Sequence, residues 1–398
     1  NGYWGHPAFK LPPEYNLLMA VHYLLALEVQ RKANQIVAIL GGKTPHIQNL
    51  AVGGVANPIN LESQSTLTFE RLMYVRRLID EVGDFICGSN LSNLAVLCAY
   101  YPEWTNYGIG LTNYLSVPDL PLNRRGTEFV LPGGVIQGDD ASTYRPIESF
   151  TDTFFRDGVK ESVKHAWYRG EDKLHPWDEE TIPEYTEFQD DGKYSWVKAP
   201  TFHNRAVEVG PAASVLTMLA ADHAPAKRYF QVVSERVQSL SGEPLPVSAL
   251  HSTLGRHAAR AIRCATLYDA LKDQWHRLVD NIGTGDHATY NRPEFPKGEI
   301  RGVGFHEAPR GVLSHWVVIE EGKIKNYQAV VPSTWNAAPR NQNEELAPYE
   351  ASLVGIPVAD PQRPLEPLRV VRSFDPCLAC AIHLLDLSNR EMTKVKVI

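Results

Sequence analysis

Cysteine is scarce in this chain of 398 residues, five in all, and Cys87, Cys98 and Cys264 stand far from one another. That scarcity excludes a small secreted scaffold stapled by disulfides. Positive charge is also short. Thirty-nine Lys and Arg face 46 Asp and Glu, a formal net charge of -7, so no basic field exists to release phosphate counterions and nucleic acid is not expected as a partner. No apolar run approaches the roughly 18 residues of a membrane span. The best stretch, Leu17 to Val29, is broken by His22 and Glu28, so membrane attachment is expected only through partner subunits. Neither an initiator methionine nor a basic-then-apolar leader stands at Asn1, which reads as a fragment or a processed product. Repeats, low-complexity tracts and linkers are missing too, which favours one folded unit.

With 43% hydrophobic and 21% charged residues there is ample material for a core. Pro12 and Pro13 open a segment in which Leu18, Val21, Leu25, Val29, Ile36 and Leu40 recur at helical spacing up to Gly41. Leu72, Val75, Ile79, Val82 and Ile86 mark a second helix starting near Thr68. Residues 101–200, rich in Pro, Gly, Asp and aromatics, predict irregular structure with short strands. Helical period returns after Pro211, pauses at Pro225 and is strongest from Val247 to Ile282. The opposite side of that last helix carries Arg256, Arg260 and Arg263, expected as a solvated or interface row. Between Gly311 and Pro332 the residues turn β-branched and aromatic around Glu321-Gly322, a β-hairpin pattern. Antiparallel pairing about that turn sets Arg310 opposite Ser333. The expected fold is therefore mainly α with peripheral β.

Near the end of the chain Cys377 and Cys380 lie three residues apart, and His383 follows after three more. A turn or helix start brings such positions to one side, where two thiolates can converge on a soft metal: nickel, zinc, copper(I) or an iron-sulfur centre. Two thiols do not complete a site. Half a zinc site, a redox dithiol and two buried cysteines remain alternatives on spacing alone.

The string DPCLACAIH resembles the C-terminal signature of nickel-iron hydrogenase large subunits. NGYWGHPA, GGKTPHIQN, AVGGVANPIN, KYSWVKAPTF, EVGP, HSTLGR, EAPRG, NYQAVVPSTWN and PYEASLVGIPVADP agree with that family in order and spacing, most closely with its membrane-associated uptake members. The resemblance implies the multi-helical body of that family over residues 1–383. It implies a nickel-iron centre with carbon monoxide and cyanide ligands, Cys377 being a terminal nickel ligand and Cys380 bridging nickel to iron. Pro309, Arg310, Val331, Pro332 and Ser333 match the pocket around the diatomic ligands. Arg310, held by Asp375, would polarise dihydrogen while Cys377 takes the proton. His383 and the Ala329 carbonyl match ligands of a nearby magnesium or iron ion, with Glu208 in the surrounding shell. His46 matches the interface with an iron-sulfur small subunit.

Two departures stand out. The family's Arg-x-Cys-Gly-x-Cys motif is missing, and Cys87 and Cys98, eleven residues apart, cannot replace it. The chain therefore holds half of the nickel site, and alone it is expected to be inactive. Residues 384–398 continue past the point, between His383 and Leu384, where a maturation endopeptidase acts in this family after nickel-insertion factors have loaded the metal. The resemblance thus implies a cytoplasmic precursor and a mature subunit on the periplasmic side of the membrane, splitting dihydrogen and passing electrons to the small subunit. A metal-free precursor, a non-catalytic relative and a zinc-binding structural module are the competing readings.

Overall fold

The computed structural model describes residues 5–63, 67–172, 174–294, 297–377, 382–385 and 391–395. Helix α1 (Pro13–Gly41) begins with a proline, which lacks the amide hydrogen a first turn cannot use, and ends at Gly42 in the left-handed region (φ 80). Only Val29, Ile36 and Gly41 of it are buried. Leu18, Val21 and Leu25, the expected core face, are largely open.

Helix α2 (Phe69–Phe85) is capped by Thr68, whose hydroxyl accepts from the Arg71 amide at 3.3 Å. A π-helical turn, Ile86–Asn90, leads into α3 (Leu91–Tyr100). The joined stretch Phe69–Tyr100 is long and apolar enough to cross a membrane, which corrects the expectation that no segment qualifies. One face of it packs on the body, with Leu72, Val75, Ile79, Leu91 and Leu94 buried.

Through residues 101–210 the expected irregular structure is found. It holds the single turn α4 (Thr153–Arg156) and short antiparallel pairs such as Val159–Ser162 with Ala199–Phe202. Helices α5 (Pro211–Ala220), α6 (Ala224–Ser241) and α7 (Thr253–Gly283) follow. Ser252 caps α7 by accepting from the Gly255 amide at 3.0 Å, and a 3-10 turn occupies Val247–His251 before it. Helix α7 is central, touching α2, α3, α5 and α6. Its Ala258, Ala261, Ile262 and Ala265 are buried in the main core. Each alanine lets a neighbouring helix approach closely, and a buried Ile such as Ile262 contributes roughly 1.5–3 kcal/mol.

The arginine row on α7 is not solvated. Arg256 and Arg263 are 2% and 5% exposed, and Arg260 is half-buried. Periodicity registers only that arginine is polar; here the terminal guanidinium nitrogens are met largely by protein carbonyls and a carboxylate rather than by water.

Three antiparallel strands, Glu299–Ala308, Gly311–Glu320 and Lys323–Val330, lie in that order. The first was not expected. About the Glu321-Gly322 turn, Glu320 pairs with Lys323 and Ile319 with Ile324, as predicted. A bulge between Val318 and Ile319 then inserts one residue into the third strand, and the register is shifted by one from Val318↔Asn326 to Ser314↔Val330. Arg310 consequently does not stand opposite Ser333. The ladder ends at Ser314, Ser333 enters α8 (Pro332–Asn336), and Arg310 turns toward the first strand. Short helices α9 (Pro348–Leu353) and α10 (Leu365–Ser373) complete the body, and Ile382–Leu385 pairs with Glu391–Val395.

Candidate metal centre

Pro309 and Arg310 form a two-residue loop between the paired residues Ala308 and Gly311. Gly311 has φ 122, and a Cβ there would lie 2.5 Å from the Gly210 nitrogen. Only glycine fits. The EAPRG and EVGP strings are thus packed backbone on backbone. Asn336 of α8 locks this junction, accepting from the Val209 amide at 3.1 Å and donating to its carbonyl at 2.8 Å.

Helix α10 stops because Pro376 cannot continue it. Asp375, just before that proline, has φ 56, a strained conformation that Asp tolerates better than most residues. The kink sends its carbonyl and carboxylate toward the Arg310 loop. Arg310 Nε donates to the Asp375 carbonyl at 2.5 Å, and Nη2 lies 3.2 Å from Oδ2. Both side chains are partly exposed, so the pair adds at most about 1 kcal/mol of stability. Its effect is orientation. The guanidinium is fixed two residues from Cys377, whose thiol is free and exposed.

Cys377 opens on a cleft of about 300 Å³ whose walls include Ala329, Val331 and Ser333. Four residues singled out from the sequence are thereby brought together. Arg310 reaches this group through Asp375 rather than by lining the cleft, with Pro309 beside it in the turn and Pro332 between Val331 and Ser333. Cys380 lies outside the described residues, and His383 and Leu384 are described as backbone only, within the strand Ile382–Leu385.

Glu208 is not at the cleft. It is fully buried against Arg256, Oε1 accepting from Nε at 2.7 Å and Oε2 from Nη2 at 2.8 Å. Burial still pushes its carboxyl up, with Arg256 opposing. The buried acids that do border the cleft escaped the sequence reading. Glu161 is on the wall, and its carboxyl is raised well above the usual range by burial and by Glu179 beside it. Lys198, also on the wall, is ion-paired with Glu179 and donates to the Thr181 hydroxyl at 2.8 Å. The KYSWVKAPTF string was the available signal, since a lysine and a buried strand occur together there. His46 is exposed in a loop.

The donor chemistry fits the implied groups in part. A soft thiol, Cys377, faces the cleft, and the buried carboxyls of Glu161 and Glu179 beside it are hard oxygen donors of the kind a magnesium ion or its waters would take. Among the described residues no three His, Cys, Asp or Glu side chains converge. Further ligands must come from Cys380, His383 or another part of the protein.

Comparison with known proteins agrees with the geometry. The family profile of nickel-dependent hydrogenases matches residues 1–383. The chain is 54% identical to the Hydrogenase-2 large chain of Escherichia coli (strain K12), over all of this chain and 70% of that one. With the uptake hydrogenase large subunit of Bradyrhizobium diazoefficiens it shares 39%, over all of this chain and 69% of the relative. The Ni-Fe-Se hydrogenase structure from Desulfovibrio vulgaris Hildenborough superposes with a TM-score of 0.78 at 28% identity, covering 94% of this chain and 72% of that one. With its DPC segment, its EAPRG turn and a match spanning residues 1–383, the chain belongs to the nickel-dependent hydrogenase family as a catalytic large subunit.

Proposed function

We propose that Cys377, together with Cys380, holds the nickel-iron centre at the cleft and that Arg310 acts on dihydrogen beside it. The observation that carries this reading is the Arg310–Asp375 contact, which joins the EAPRG turn to the segment bearing Cys377. When bound, the centre supplies the soft Lewis acid and the electron acceptor that parting the H–H bond requires. The chain's own residues do the rest. Arg310 carries a permanent planar charge aimed by Asp375, and the Cys377 sulfur takes the proton. Pro309, Val331, Pro332 and Ser333 shape a mostly apolar pocket for carbon monoxide and cyanide on the iron, with the Ser333 hydroxyl as a hydrogen-bond donor.

In the same reading, His383 and the Ala329 carbonyl hold a magnesium or iron ion. Ala329 lies on an edge strand, where alternate carbonyls have no partner in the sheet. Lys198, Glu161 and Glu179 take the surrounding role first assigned to Glu208. Electrons leave through the iron-sulfur clusters of a small subunit docked near His46. In this reading the mature subunit works on the periplasmic face, attached to the membrane through partners. Residues 384–398 form the extension that an endopeptidase removes between His383 and Leu384 once nickel-insertion factors have acted.

Replacing Arg310 by Lys in the full-length subunit, co-expressed with its small subunit, keeps the charge and loses the planar fork. Dihydrogen oxidation should fall by about 100-fold or more in kcat, the typical loss for one oriented donor. Turnover within twofold of the parent would overturn the assignment of Arg310.

A further inference from the structure

We propose that Arg260 and Arg263 of α7 are positioning residues that hold the two loops of the site in register, a role that rests on the hydrogenase reading above. Lying three apart, the two project from the same side of one rigid helix. Arg263 Nη2 donates to the Glu307 carbonyl at 2.5 Å and Nη1 to the Ala308 carbonyl at 3.1 Å, immediately before Pro309 and Arg310. Arg260 Nη2 donates to the Ser373 carbonyl at 2.7 Å, two residues before Asp375. The spacing between the loops is thereby set by the spacing of consecutive turns of α7. Arg256, a turn earlier, covers the Phe374 ring at 3.8 Å and closes the same seam.

The half-exposed Arg310–Asp375 pair cannot hold this geometry alone, because a solvated pair reorganises cheaply. Arg260 and Arg263 each leave Nε buried without a partner, an energetic cost that an apolar side chain of similar size would avoid. Arg263 spends both terminal nitrogens on the loop that carries Arg310, while Arg260 gives Nη2 to the loop that carries Asp375 and its Nη1 lies 3.4 Å from His257 Nδ1 on α7 itself. For Arg263 the two-carbonyl contact needs a planar fork, which lysine lacks; for Arg260 a single carbonyl is within a lysine's means.

The test uses the full-length large subunit with its small subunit, comparing Arg260→Met, Arg260→Lys, Arg263→Met and Arg263→Lys with the control Lys272→Met. Dihydrogen oxidation is measured as kcat and KM, and amide exchange is followed over residues 307–311 and 373–377. Expected for Arg263→Met, Arg263→Lys and Arg260→Met is a kcat lowered by about tenfold or more, since misplacement near 1 Å has that scale of effect. KM should stay within about twofold, and exchange should quicken in the loop each arginine serves. Arg260→Lys should recover most of the loss and Arg263→Lys should not. Unchanged kcat, or a loss shared equally by both lysine variants and spread over the whole exchange map, would overturn the proposal. If the parent complex oxidises no dihydrogen, the functional reading fails instead, while the exchange pattern still decides whether the arginines order these loops.

Discussion

Arg256→Met is the substitution with the clearest calculable consequence. It removes two ionic hydrogen bonds to Glu208, at 2.7 and 2.8 Å, and two to the carbonyls of Gly108 and Ile109, at 2.7 and 3.1 Å. Glu208 is left in a fully buried position without its counter-charge, and breaking one side of such a pair costs about 3–5 kcal/mol. Glu208→Gln alone should cost less, about 1–3 kcal/mol, because a neutral amide can still accept from Arg256. In the double variant the stranded charge is gone, so the two effects should fall short of additive by about 2 kcal/mol. The cost must also depend on pH. Glu208 already has a folded-state pKa above its unfolded one, and losing Arg256 raises it further. Through that window the folded state binds more protons than the unfolded state, so stability falls as pH rises. Urea unfolding of the single and double variants at pH 5 and pH 8 is the assay. Additive effects, or an Arg256→Met penalty as large at pH 5 as at pH 8, would refute the reasoning.

Glu307 should behave as a second buried acid. Burial pushes its carboxyl up to about 8, with Arg263 opposing, so parent stability should decline between about pH 5 and pH 8. Glu307→Gln, which keeps an acceptor for the Val117 amide, should remove that slope and be more stable at pH 8 by roughly 2 kcal/mol, below the ~5 kcal/mol ceiling for that displacement; a parallel pH profile would contradict this. Gly311→Ala forces a Cβ to 2.5 Å from the Gly210 nitrogen at φ 122. The penalty expected in thermal unfolding is roughly 2–4 kcal/mol from the backbone conformation and the clash together.

Helices were the legible part of the sequence, because a 3.6-residue apolar period and a proline or threonine at the start are local signals. Pro13, Thr68 and Gly41 mark observed boundaries. The exposure of Leu18, Val21 and Leu25 was not legible, since periodicity states which face is apolar and not what covers it. The strand Glu299–Ala308 was hidden by Gly302 and Gly304, which weaken the β pattern. With it went the tight turn that presents Arg310. The bulge after Val318 is a two-strand property, and no single strand announces it. At the site, spacing left the chemistry of Cys377 and Cys380 open and the family strings narrowed it, while the structure adds that Cys377, Ala329, Val331 and Ser333 share one cleft. Glu161, Glu179 and Lys198 were not, because they meet only through pairing of Val159–Ser162 with Ala199–Phe202 and the loop that follows the former.

The central claim is that the Cys377 sulfur grips nickel. Nickel content and the infrared spectrum of the full-length subunit, co-expressed with its small subunit and its maturation machinery, test it with and without Cys377→Ala. The parent should carry about one nickel per large subunit and show sharp cyanide and carbon monoxide bands, while the variant should lack nickel. A parent without nickel, or a variant that retains its full complement, would contradict the account.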